Sequence, residues 1–325
     1  MSGVPPEASL RDASSQRGAN ALGRPGGALA LVGRFAPSPT GPLHFGSLVA
    51  GLASYCDARA QGGRWLVRIE DVDEPRSRTS AERAILDALS RYGFRWDGDI
   101  VRQSERTAHY FRALEKLRDA GLVYACACTR RDMEQAPQNA SGERIYPGTC
   151  RDAAIDPRTP HVAHRVRVED ALVEFTDVSQ GPQSQDVARE VGDFIVRRAD
   201  GWFAYQLAVV VDDALQGVTS VVRGADLLPS TPRQIHLQRA LGVATPEYLH
   251  VPVAINGAGE KLSKQTGAAP LPGDPVPALM AAWKFLDQPR PSVLPASPDA
   301  FMAHAIAAWT RSRIPPTAML PAPRV

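Results

Sequence analysis

Residues 33–55 read "GRFAPSPTGPLHFGSLVAGLASY". Between Gly33 and Gly46 lie three prolines and a single histidine, His44. After them Leu48, Leu52 and Tyr55 recur at i, i+4 and i+7, with Val49 and Cys56 beside them. That spacing predicts a helix starting near His44 and stopping at Gly62-Gly63. The apolar run Ala28–Val32 in front predicts a buried strand. A turn from a strand into a helix presents unpaired N–H groups and the positive end of the helix dipole, which suits phosphate. Gly41 and Gly46 permit close backbone approach, and His44 supplies a hydrogen bond and a mobile proton. An ordinary strand–helix turn with a surface His would read the same way.

Working outward, Trp65–Ile69 predicts a second buried strand, ending in the acidic "EDVDEPR". Thr79 and Glu82 have capping-box spacing before a helical period. A further helix is predicted over 105–120. Strand, helix, strand, helix, helix is the order of an α/β parallel sheet. Between 122 and 190 the runs become short and alternating and three cysteines cluster, which suggests an inserted subdomain. The α/β pattern returns over 191–273. There "DFIVRRADGWFAYQLAVVVDD" reads as a strand pair followed by an apolar strand ending at Asp212 and Asp213. "GVTSVVRGADLL" gives a strand and turn, "STPRQIHLQRALG" a helix, and "YLHVPVAIN" a last strand. Residues 274–325 mix helical pieces with prolines. Residues 1–28 read as a disordered leader.

The bulk composition is that of an ordinary soluble protein, 44% hydrophobic and 22% charged, and a net charge of +2 names no partner. No apolar run reaches the roughly 20 residues needed to span a bilayer, so no membrane partner is expected. Four cysteines in 325 residues argue against a disulfide scaffold and for a reducing, cytoplasmic setting. A monomer is expected.

The second chemical stretch is "KLSKQ", Lys261–Gln265, two lysines in a Gly-rich loop. Paired ammonium groups there can hold polyphosphate and offset charge at a transferring phosphorus, although a solvated loop would look alike. Taken together, "HFGS" and "KLSKQ" resemble the signature pair of class I aminoacyl-tRNA synthetases, with Ser47 in place of the second His. "RFAPSPTGPLH", "RIEDVD", "DGWFAYQLAVVVDD" and "VRGADLLPSTPRQ" resemble the glutamyl/glutaminyl branch. Within it the chain is most similar to the glutamyl-Q tRNA(Asp) synthetase family, over about residues 31–272.

This resemblance implies a Rossmann-type parallel sheet carrying an inserted zinc-bearing subdomain. It implies a ligase that activates L-glutamate with ATP and Mg²⁺, then transfers glutamate to the queuosine base at the wobble position of tRNA(Asp). Only 60 residues follow Gln265. That is too few for the anticodon-binding domains of ordinary glutamyl-tRNA synthetases, the nearest alternative, which charge the 3′ end of tRNA(Glu). An adenylating enzyme for a free acid and a non-catalytic paralogue are the other readings.

By motif position, His44, Lys261 and Lys264 are the catalytic candidates, with His44, Gly46 and Lys264 at ATP. Arg34 and Arg223 are carboxylate partners of glutamate, Glu70 accepts from its ammonium, and Tyr205 adds a hydroxyl. Phe35, Ala36, Pro37 and Ser38 continue the pocket wall. A plain ion pair at Arg34 and Glu70 and a core Tyr205 are the bland alternatives. Asp71 and Asp73 are expected to orient their loop. Asp212 and Asp213 would face the ATP ribose or be a solvated strand end. Cys126, Cys128, Tyr146 and Cys150 are the implied ligands of a structural Zn²⁺, with His161 or His164 as substitutes for the tyrosine. Three buried structural cysteines without metal would give the same pattern. Cys56 reads as core. Arg130, Arg131, Arg144 and Arg151 are possible RNA phosphate contacts.

Overall fold

The strand before the proline turn is β1 (Val32–Phe35), a few residues later than the apolar run suggests. Gly33 and Arg34 look like strand breakers in sequence. In the fold, a Cβ on Gly33 would sit 3.1 Å from the Ala58 side chain, so glycine permits close packing there. Arg34 is buried and paired with Asp213 (3.3 Å). In this computed structural model the described residues are 30–72, 79–169, 171–262 and 267–323. The leader, Asp73 and Lys264 therefore lie outside them. From Leu31 onward the chain forms one compact unit.

Helix α1 (Phe45–Ala60) follows the turn, with His44 as its N-cap. Then come β2 (Arg64–Ile69), α2 (Thr79–Arg91), β3 (Val101–Arg102), a 3₁₀ turn over Gln103–Arg106, and α3 (Thr107–Asp119). β1 pairs in parallel with β2, and β2 with β3. The capping-box reading of Thr79 and Glu82 does not hold. Thr79 is already helical, and Glu82 accepts from Arg102 Nε at 2.9 Å.

The insertion contains β4 (Val123–Cys126), β5 (Ala163–Val166), the hairpin β6 (Leu172–Asp177) with β7 (Gly181–Asp186), and the short α4 (Val187–Glu190). β8 (Ile195–Arg197) pairs with β5, so this antiparallel sheet continues past residue 190.

The apolar segment read as a strand is helix α5 (Tyr205–Leu215). A short apolar run cannot be told from a buried helix by periodicity alone. Here the run packs against α3 and α6 (Thr231–Leu241), which closes on left-handed Gly242. β9 (Ser220–Gly224) pairs in parallel with β10 (Glu247–Val251). Thr219 N donates to Val32 O (2.9 Å), which sets β9 beside β1. The parallel layer thus runs β3-β2-β1-β9-β10, and its direction of growth reverses between β1 and β9. In such sheets the crevice at that switch point, beyond the strands' carboxyl ends, is the ligand position.

Pro252 interrupts the predicted last strand, and β11 (Val253–Ile255) pairs in parallel with β12 (Met319–Pro321). Helices α7 (Pro275–Phe285) and α8 (Pro298–Ala308) pack on α1, burying Leu279, Trp283 and Phe301. With the sheet on its other side, α1 is buried nearly all round rather than along one stripe, and Cys56 is fully enclosed. No helix among the described residues is long and apolar enough to cross a membrane.

Candidate active site and metal centre

A cavity of about 400 Å³ opens at the β1/β9 switch point, within the usual range for small-molecule sites. Its wall includes Arg34–Ser38, His44, Gly46, Glu70, Tyr205, Arg223 and Lys261. Apart from Asp212 and Asp213, every described residue proposed for glutamate or ATP therefore borders one cavity. Phe35 also serves the core, where its ring stacks on Trp65 (centroids 6.2 Å apart).

The proline turn is pinned to the next strand, since Glu70 N donates to Pro37 O (3.1 Å). At the helix start, Ser47 N donates to His44 Nδ1 (3.4 Å). With Nδ1 accepting, the neutral ring carries its proton on Nε2. A Cβ on Gly46 would lie 3.2 Å from the His44 ring, so glycine keeps that ring seated over the first turn. The flanks of the lysine loop return to the same place. Leu271 N donates to Leu43 O (3.0 Å), and Lys261 lines the cavity while paired with Asp226. The two short motifs, more than two hundred residues apart, thus meet.

Arg34 and Glu70 are not paired with each other. Arg34 Nε donates to Asp213 Oδ1 (3.3 Å), and Arg68 NH2 donates to Glu70 Oε1 (3.3 Å). Arg68 NH1 also donates to Asp213 Oδ1 (2.7 Å), so one carboxylate holds two guanidinium groups. Burial alone would raise Asp213, but Arg34 and Arg68 outweigh it and hold the carboxyl below its usual range. Glu70 shifts the other way: burial pushes it up, with Arg68 and then Arg34 opposing. Burial also raises the Tyr205 hydroxyl, which keeps it protonated and able to donate.

Asp212 and Asp213 are neither a solvated strand end nor part of the cavity wall. They are buried in the last turns of α5. Asp212 accepts from Tyr110 (2.6 Å), Gln103 (3.0 Å) and Arg106 (2.5 Å). Asp71 accepts from Ser104 N and Oγ (2.9 and 2.7 Å), which orients the loop.

Arg223 is almost wholly buried. Its Nε donates to His250 Nε2 (3.0 Å) and its NH2 to Thr231 Oγ1 (2.9 Å). Its NH1 is buried without a hydrogen-bond partner among the described residues. A buried, unsatisfied guanidinium nitrogen beside a cavity is a strong demand for an anion.

Sequence reasoning missed Arg68, His250 and Asp177. Arg68 had a signal: it sits two residues before Glu70 in an apolar strand, hence on the same face. His250 had none, because only the register Arg223↔His250 places the two side by side.

In the insertion, the Sγ atoms of Cys126, Cys128 and Cys150 lie within 4.8 Å of one another. The Tyr146 hydroxyl is 3.4 Å from Cys126 Sγ and 3.6 Å from Cys128 Sγ. Tetrahedral zinc with thiolate bonds of about 2.3 Å separates its sulfurs by about 3.8 Å, so this donor set fits a metal ion. Arg165 stacks on the Tyr146 ring (3.7 Å) and donates to Cys126 Sγ (3.3 Å), which braces both side chains beside the cluster. Neither His161 nor His164 joins the cluster. Of the proposed RNA-contacting arginines, Arg144 and Arg151 are tied into the insertion through Glu134 O and Asp193, while Arg130 and Arg131 are exposed.

Residues 30–271 match the family described as tRNA synthetases class I (E and Q), catalytic domain. The chain belongs to that family. It is 55% identical over 298 residues to glutamyl-Q tRNA(Asp) synthetase of Thiobacillus denitrificans, covering 90% of this chain and 99% of that one. It is 51% identical to the protein of the same name from Pseudomonas aeruginosa strain LESB58, covering 90% and 98%. A crystal structure of a glutamate tRNA ligase from Elizabethkingia meningosepticum, in complex with its amino acid, superposes with a TM-score of 0.73 at 24% identity. That match covers 89% of this chain but 66% of the ligase, and it speaks to the shared fold alone. Within the family, this chain is a member of the glutamyl-Q tRNA(Asp) synthetase group.

Proposed function

We propose that this chain, acting as a monomer, activates L-glutamate with ATP and Mg²⁺ and transfers the glutamyl group to the queuosine base at the wobble position of tRNA(Asp). The observation that carries the first half is the cavity at the β1/β9 switch point. It joins two buried arginines, Glu70 and Tyr205 to a helix N-terminus with His44 and Lys261. Two cations and one anion on one wall match a dicarboxylate that carries one ammonium. Arg34 and Arg223 bind the carboxylates, Glu70 accepts from the ammonium, and Tyr205 donates its hydroxyl hydrogen.

A glutamate carboxylate attacks the α-phosphorus of ATP, and pyrophosphate leaves. The side chains form no covalent bond. They hold the reactants in line and offset charge on the phosphate oxygens. His44 donates from Nε2 at the start of α1, and Lys261 exchanges Asp226 for phosphate. Lys264, outside the described residues, completes the lysine pair. A hydroxyl of the queuosine ring then attacks the adenylate carbonyl, releasing AMP.

The choice of RNA acceptor rests on the relatives' name and on their near full-length match. Cys126, Cys128, Cys150 and Tyr146 hold a structural Zn²⁺ that fixes the insertion. The deciding experiment incubates the protein with labelled glutamate, ATP and either tRNA(Asp), with or without queuosine, or tRNA(Glu). Label confined to queuosine-containing tRNA(Asp) supports the proposal. Label on the 3′ adenosine of tRNA(Glu) overturns it in favour of the glutamyl-tRNA synthetase reading.

A further inference from the structure

The buried polar side chains behind the cavity form a chain with a definite direction. Asp177 ends β6 of the insertion hairpin, and His250 lies on β10 beside Arg223 of β9. Asp177 Oδ1 accepts three backbone N–H groups: Ser179 (3.0 Å), Gln180 (2.9 Å) and His250 (3.2 Å). Asp177 Oδ2 lies 2.6 Å from His250 Nδ1. A carboxylate only accepts, so Nδ1 carries the proton and donates. His250 Nε2 is then a bare lone pair, and it accepts from Arg223 Nε at 3.0 Å. Thr231 Oγ1 takes the NH2 edge at 2.9 Å, which leaves NH1 as the unpartnered nitrogen. Burial and the Arg223 cation both lower the His250 pKa, outweighing Asp177, so the ring stays neutral as this arrangement requires.

We infer that Asp177 and His250 are positioning residues for glutamate, acting through the imidazole tautomer to hold Arg223 with its NH1 edge presented to a substrate carboxylate. This rests on the reading of the cavity as the glutamate site. It makes the insertion hairpin part of the amino-acid site as well as a support. The direction of the chain matters more than its presence, because reversing the proton on His250 sets an N–H against an N–H at Arg223.

Asp177→Asn makes that reversal without changing shape. The three backbone donors at Oδ1 hold the amide oxygen there, so the amide NH2 faces His250 Nδ1. The histidine proton must then move to Nε2, where Arg223 Nε loses its acceptor. The measurement is glutamate-dependent ATP–pyrophosphate exchange without tRNA, with thermal melting as the check on folding. Losing a buried hydrogen bond to a charged group predicts a rise of roughly 10- to 100-fold in the KM for glutamate. The KM for ATP and kcat should change far less. His250→Gln keeps a donor toward Asp177 and an acceptor toward Arg223, and should retain most glutamate affinity. His250→Leu should lose it, and adding Asp177→Asn to His250→Leu should then raise the KM no further.

Arg223→Gln separates the two ideas. If it leaves the KM for glutamate unchanged, the cavity reading fails and the relay with it. If it raises the KM while folded Asp177→Asn does not, the relay alone is wrong. Should Asp177→Asn fail to fold, equal KM values for His250→Gln and His250→Leu would overturn the relay.

Discussion

Arg34 at the end of β1 is held by Asp213 of α5, across 179 positions of chain, through a single Nε–H donated at 3.3 Å. Because Arg68 binds the same Oδ1, Asp213 is the hub that orients the cavity's first cation. Asp213→Asn would leave two buried guanidinium groups facing a neutral amide. Breaking one side of a buried ion pair typically costs about 3–5 kcal/mol. We expect a loss of that order in urea melts, together with a raised KM for glutamate. A variant as stable as the parent would show that Glu70 alone suffices to balance Arg68.

The same carboxylates set an acid limit. Asp213 and Asp177 both titrate below the ordinary carboxylate range in the folded chain, Asp177 because its hydrogen bonds to His250 and to backbone N–H groups outweigh its burial. Their stabilisation is therefore complete above their unfolded pKa of about 3.9 and lost as pH falls through the folded values. Glu70, raised by burial, works in the opposite sense. Urea melts from pH 7 to 3 should show Asp177→Asn less stable at neutral pH, with the gap closing below about pH 4. A constant gap would contradict the assignment.

His44 caps α1 by accepting from Ser47 N, and the proposed function gives it a second, separable duty as a donor to phosphate from Nε2. Asn is among the best N-caps, so His44→Asn should keep the fold while lowering exchange by about 10²- to 10³-fold, the usual cost of one lost transition-state donor. His44→Ala should additionally cost about 1 kcal/mol of stability. Undiminished exchange in the Asn variant would remove His44 from the chemistry.

The proposed metal centre makes its own demands. Cys150→Ser should abolish stoichiometric zinc, read by elemental analysis, and lower the melting temperature. Gly192 has φ +70°, and a Cβ there would lie 2.8 Å from Tyr146 O. Gly192→Ala should therefore displace Tyr146 and weaken zinc retention against a chelator, although residue 192 is no ligand. Unchanged retention would argue that Tyr146 contributes little to the centre.

Much of this site was legible in the residues because its motifs are local. A proline-set turn, a histidine at a helix start and a Cys-x-Cys pair each bring their groups together within a few residues. Where reading failed, the cause was non-local. Residues 205–215 look like a strand because β-branched side chains crowd the run. Their contacts with α3 and α6 make them a helix, and that moves Asp212 and Asp213 from solvent into the core. The apolar run 28–32 points to an earlier strand than β1 because a glycine and an arginine carry no apolar signal, and only Ala58 and Asp213 beside them make Gly33 and Arg34 fit a buried strand.

By itself, the sequence determined the parallel α/β class, the phosphate-type turn at His44 and the thiol cluster. These follow from backbone geometry and side-chain chemistry over short separations, whereas the glutamate-binding candidates are implied only by the resemblance of the motifs. Only the tertiary structure decided which cation each carboxylate holds and which way the Asp177–His250–Arg223 chain runs. It also showed that β9 lies beside β1, so that Arg34 and Arg223 border one cavity. Those outcomes depend on strand register and on burial, where an ion keeps its charge only if a partner from elsewhere in the chain meets it.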